Sequence, residues 1–116
     1  MTNEYGAPLD RNGYAPSIMQ DSETECYLCG ASDQKLDRHE PIGGAYRQKS
    51  KRHGLWVSLC HDRCHLYGPY AAHQSAETAN LPKEHAQMAA MDAYGWSMNK
   101  WRGEFGKNYL EVEDGD

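Results

Sequence analysis

The chain has 116 residues, 39% of them apolar, and a mean hydropathy of -0.91, which is about one domain with little material for a large core. No stretch approaches the roughly 18 apolar residues of a membrane span, and no basic start leads into an apolar run and a small-residue cleavage site, so a soluble cytoplasmic protein is expected. The formal charge of -5 is unevenly placed: residues 1–25 carry a net -4 and residues 111–116 hold four acids and no base, which leaves +3 on residues 26–110.

Residues 1–24 are rich in Gly, Pro, Asn and Ser without apolar periodicity, so they are expected to form a flexible, extended or loosely docked arm. The domain proper then spans 25–110, and 111–116 is an acidic tail. Cys26-Tyr-Leu-Cys29 opens the domain as a metal knuckle, with Gly30 supplying the positive φ that its tight turn needs. A short strand is expected over Lys35–Glu40, a turn over Pro41-Ile-Gly-Gly44, and a basic connection over Tyr46–Gly54 that carries Arg47, Lys49, Lys51 and Arg52. Leu55-Trp-Val-Ser-Leu59 reads as a second strand running into Cys60.

The second cysteine pair, Cys60-His-Asp-Arg-Cys64, follows the first by roughly thirty residues, the layout of a two-knuckle zinc site. Disulfides are the competing reading, but nothing in the sequence points to an oxidising compartment. Cys26, Cys29, Cys60 and Cys64 are therefore expected to hold one structural Zn²⁺. Beyond them the period turns helical from His61 to about Ala79, with a break at Gly68-Pro69. Asn80 caps an expected helix with Pro82 in its first turn, running to Tyr94 and closed by Gly95. Ser97 caps a last helix through Trp101 and Phe105 to Gly106, after which Asn108-Tyr-Leu110 packs back. The expected architecture is small α+β: a zinc-stapled hairpin and helix with a C-terminal helical extension.

Leu36-Asp-Arg-His-Glu40, the Gly-containing loop and Leu55-Trp-Val-Ser-Leu-Cys-His-Asp-Arg-Cys-His65 together resemble the HNH (ββα-metal) endonuclease superfamily, in particular its small phage-borne members. Gly54-Leu-x-Val-x-Leu-Cys60 and Phe105-Gly-Lys-Asn-Tyr-Leu110 are similar to those members too, so the resemblance covers about residues 26–110. It implies metal-dependent hydrolysis of DNA phosphodiesters that leaves 5′-phosphate ends, in host cytoplasm for a phage protein. His39 is then the general base, since an imidazole titrates near neutral pH. His65 and His73, about two helical turns apart, are the expected ligands of a catalytic Mg²⁺, Mn²⁺, Ni²⁺ or Zn²⁺. Strand alternation puts Asp37 on the face of His39, as a third candidate ligand, and Arg38 on the other face. Beside such a site Arg47, Lys49, Lys51 and Arg52 would bind phosphates.

Arg38 stands where many members carry a His or Asp ligand, and Leu55 stands about where the middle Asn of the family name would be. These departures suit an alternative: a non-catalytic adaptor that keeps the zinc-bound scaffold and binds nucleic acid or protein. His53, His61 and His85 read as ordinary polar residues, and Trp96, Trp101 and Met91 as helix packing.

Overall fold

The computed structural model describes residues 1–32, 35–66 and 76–110, at 63, 66 and 76–79 by their backbone alone. It is a small α+β structure. A two-stranded antiparallel sheet pairs β1 (Leu36–His39) with β2 (Val57–Cys60) in the register Leu36↔Cys60, Asp37↔Leu59, Arg38↔Ser58, His39↔Val57. Three helices accompany it: α1 (Arg47–Arg52), α2 (Ala76–Tyr94) and α3 (Met98–Phe105), with a wide helical turn at His61–Leu66 directly after β2. Among the described residues no helix is long and apolar enough to cross a membrane.

The core gathers Leu55, Val57, Leu59 and Cys60 from β2 and its lead-in, Ala86 and Ala90 from α2, and Trp96, Trp101 and Phe105 from the C-terminal part. Trp101 and Phe105 stack with ring centroids 4.4 Å apart, as their i, i+4 spacing dictates. Helix α3 has the expected caps: Ser97 accepts from the Lys100 amide at 3.1 Å, and Gly106 is left-handed at φ +80°. Asn108-Tyr-Leu110 also returns as expected, because buried Gln87 donates to Asn108 Oδ1 at 2.8 Å and accepts from the Tyr109 amide at 2.7 Å.

The basic stretch expected to be a connection is α1. Arg, Gln, Lys and Ser are adequate helix formers, and Ser50 fastens the helix by donating to the Ile42 carbonyl at 2.6 Å. Asn80 does not cap α2, which is already helical from Ala76 with Pro82 inside it. The Pro82 ring is fully buried, so core packing offsets the hydrogen bond that a proline interrupts. The expected break at Gly68-Pro69 and the acidic tail at 111–116 lie outside the described residues.

The N-terminal arm has no long regular element, but it is docked. Tyr14, Ala15 and Met19 are buried. The Trp56 indole donates to the Ala15 carbonyl at 2.8 Å, the Ile18 amide to Gly54 O at 2.9 Å, and the Ala15 amide to Lys51 O at 2.9 Å. Ser58 shows why the arm belongs there. Its amide and carbonyl face away from β1, and they are satisfied by Gln20 Oε1 at 2.8 Å and by the Tyr27 amide at 2.7 Å. Arm and knuckle thus close the second edge of a strand that is buried along its whole length. Composition alone suggests an extended or loosely docked arm, because it does not register bonds made to a strand edge about forty residues away.

Gly54 marks the tightest approach of arm to body: at φ +74°, a Cβ there would lie 2.3 Å from the Pro16 carbonyl oxygen. Gly54→Ala is expected to lower unfolding stability by about 2 kcal/mol or more, the sum of left-handed strain and a backbone clash. Urea denaturation measures it, and a loss under about 1 kcal/mol would mean that the arm yields at little cost.

Candidate functional site

The four cysteine sulfurs, from the knuckle before β1 and from the end of β2 and the turn after it, all lie within 4.8 Å of one another. Cys29 Sγ and Cys60 Sγ are 3.4 Å apart, beyond a disulfide's length of about 2.05 Å and near the roughly 3.8 Å between thiolates on a tetrahedral Zn²⁺. The amides of Cys29 and Cys60 each donate to Cys26 Sγ at 3.4 Å, and Gly30 turns the knuckle at φ +80° with its amide on Cys26 O. Four thiols with amide donors form a closed set suited to a structural ion, with zinc the metal that such a set usually takes. Among the described residues it is the one group of three or more candidate ligands close enough to share an ion.

A second cluster lies on the same corner. Asp37 Oδ2 accepts from His61 Nδ1 at 2.6 Å and from His65 Nδ1 at 2.9 Å, and the His39 and His65 rings meet edge to face at 5.2 Å. The register explains the meeting: Leu36 pairs with Cys60, so Asp37 and His39 face the turn that continues from Cys60 through His61 to His65. Burial opposes ionisation of Asp37, but the hydrogen bonds from His65 and His61 outweigh it and hold the carboxyl below its ordinary range. His61, expected to be an ordinary polar residue, is a member of this cluster, and its position directly after Cys60 was the available signal. His73 lies outside the described residues, so the ligand set expected for a catalytic metal is not complete here.

An open groove of about 580 Å³ joins the cluster to positive charge. It is lined by Asp37 and His65, by Arg38, Arg47 and Lys51, and by Asn12 and Tyr14 of the arm. The basic residues of α1 also have partners within the chain. Arg47 donates to Glu40 at 2.7 Å, Lys49 pairs with Glu104 at 3.4 Å, Arg52 pairs with Glu4 at 2.9 Å, and Lys51 sits 4.8 Å from the Tyr14 ring centre. Arg38, set aside as a ligand, lies over Tyr14 and Trp56 at 4.3 and 4.9 Å and pairs with Asp10 at 2.7 Å. His53 is buried among Tyr5, Tyr94 and Trp96 with Nδ1 against Lys49 O, a packing position. His85 bonds the Tyr27 hydroxyl at 2.7 Å, which ties α2 to the knuckle.

Burial and the neighbouring sulfurs push the Cys60 thiol up to about 11 and the Cys64 thiol up to about 12. Both are protonated at neutral pH, and a bound cation reverses that preference. Metal binding is therefore expected to release at least these two protons per ion and to weaken as pH falls. Calorimetry with Zn²⁺ in buffers of different ionisation enthalpy counts the protons. Cys29→Ser should abolish tight binding and lower the melting temperature; an unchanged melting temperature would remove the staple from the account.

Set against protein-family models, curated proteins and solved structures, the chain gave no match, so the functional reading rests on its own residues.

Proposed function

We propose that the chain is a metal-dependent DNA endonuclease of HNH type, hydrolysing phosphodiester bonds in the groove that joins Asp37 and His65 to Arg38, Arg47 and Lys51. The observation that carries this reading is that shared groove, which sets imidazole and carboxylate beside three cations in a space open to a chain of phosphates. His39 is the base that takes a proton from water. It sits at the end of β1 with its ring against His65. Asp37, accepting from His65 Nδ1, holds that imidazole in the tautomer whose lone pair is on Nε2, the form that ligates a metal. His65 Nε2 is assigned to a divalent ion together with His73, while Asp37, expected as a third ligand, is taken up by the Nδ1 atoms of His65 and His61 and orients the ring instead; when bound, such an ion supplies positive charge for the leaving 3′ oxygen. The four-cysteine centre is assigned to Zn²⁺ and to structure alone.

The adaptor reading also has an observation in its favour: Arg38, Arg47, Lys49 and Arg52 are all ion-paired within the chain. Arg38–Asp10 and Arg52–Glu4 are exposed on both sides, however, and such pairs hold by only about 0–1 kcal/mol, so phosphate oxygens can replace those carboxylates; Arg47, paired with the buried Glu40, keeps its own side chain 57% exposed and open to a phosphate.

The test is nicking of plasmid and single-stranded DNA with Mg²⁺, Mn²⁺, Ni²⁺ and Zn²⁺ supplied separately. His39→Ala should cut at least about a hundredfold more slowly while keeping its cysteine-bound metal and its DNA affinity. DNA binding without nicking under any of these metals, or a His39→Ala variant as fast as wild type, would leave the adaptor.

A further inference from the structure

We infer that the N-terminal arm forms one wall of the phosphate-binding groove and that Tyr14 sets the positions of its cations, with the phosphodiester backbone of DNA as the partner. This rests on the nucleic-acid part of the reading above and holds whether or not the chain cuts. Nothing in the arm's composition suggests such a role; the contacts of one ring do.

Tyr14 is 8% exposed and lines the groove together with Asn12, Asp37 and His65. Arg38 lies 4.3 Å and Lys51 4.8 Å from its ring centre, so two of the three groove cations rest on one aromatic side chain. Its hydroxyl donates to Glu40 Oε2, and Glu40 Oε1 accepts from Arg47 Nε at 2.7 Å, which brings the third cation into the same set. Burial first and Glu40 second push the Tyr14 phenol up to about 12, so it remains a neutral donor.

Tyr14 is itself held by three contacts, two on its backbone and one on its ring. The Tyr14 amide donates to Asp10 Oδ1 at 3.0 Å, the Asp10 amide donates to Tyr14 O at 2.9 Å, and the ring meets Trp56 edge to face at 5.5 Å. Asp10 also accepts from Arg38 at 2.7 Å. Arg38 is therefore placed by two ring faces and partly neutralised by the Asp10 carboxylate. Long basic side chains that are already ordered lose less freedom when a phosphate arrives. The Asp10 carboxylate acts in the other direction, since it competes with the phosphate for the guanidinium.

These two effects have opposite signs and separate the arm's role from general destabilisation. The experiment is fluorescence anisotropy of a short labelled duplex with the zinc-loaded full chain over a series of salt concentrations. Tyr14→Leu should bind about tenfold more weakly, from the loss of two cation–π contacts, with a shallower salt slope. Tyr14→Phe keeps the ring and should lose about threefold or less. Asp10→Asn, at an exposed position, should bind about twofold to fivefold more tightly, because the rings still hold Arg38.

If Tyr14→Leu fails to fold, Tyr14→Phe and Asp10→Asn still decide. Wild-type affinity and slope in a folded Tyr14→Leu, weaker binding by Asp10→Asn, or a Tyr14→Phe loss of about tenfold would each overturn the arm's role. A wild-type chain that binds no duplex at low salt would overturn the nucleic-acid reading itself, and the arm's role with it.

Discussion

The close approach of four sulfurs is the constraint on which the rest of the structure depends. Each strand is four residues long, and a two-stranded sheet of that size is marginal in water without something to hold it. Cys26 and Cys29 come from the knuckle before β1, Cys60 ends β2, and Cys64 lies on the turn that follows, so an ion held by the four sulfurs would tie knuckle, strand and turn at a single point. The register is held in the same place, because Leu36 pairs with Cys60. Asp37 and His39 inherit their direction from that pairing, and a slip of one residue would turn both away from His61 and His65. The histidine cluster is thus a geometric consequence of the cysteine cluster.

The arm supplies the second constraint, on the opposite edge of β2. A strand buried on all sides still has to satisfy the backbone groups that its single partner strand leaves over. Ser58 does so with Gln20 and Tyr27, and its hydroxyl donates to the Glu23 carbonyl at 2.8 Å. The segment that covers the edge thereby brings Tyr14 and Asp10 against the Arg38 side chain of β1. One covering segment both protects the strand from edge-to-edge pairing and furnishes a side of the groove.

How legible each part was depends on whether its cause is local. The cysteine spacing, the Gly30 turn, the Ser97 and Gly106 caps and the alternation around Asp37 and His39 are each set within a few residues, and all can be read from the sequence. The start of α2 could not be: Asn80 and Pro82 have the right local chemistry for a helix start, but burial of the proline ring overrides it. The arm was illegible for the same reason in stronger form, since its fixing bonds run to Lys51, Gly54, Trp56 and Ser58. The place of His61 is not legible in the sequence because it depends on Asp37, which only the β1–β2 register brings within reach.

Net charge is a poor guide to what the groove can hold, because local field and solvent access decide it. The Glu40–Arg47 pair illustrates the point. The Glu40 side chain is 8% exposed and fixed by the Tyr14 hydroxyl, whereas the Arg47 side chain is 57% exposed. The carboxylate is therefore the anchored partner, and the guanidinium, with five N–H groups in a rigid fork, presents the rest of its surface to water. Arg38 repeats the arrangement with rings in place of a buried acid. A chain of formal charge -5 can thus present ordered cations along one groove, because the acids that remain there are few and the charges that dominate its total lie elsewhere in the sequence.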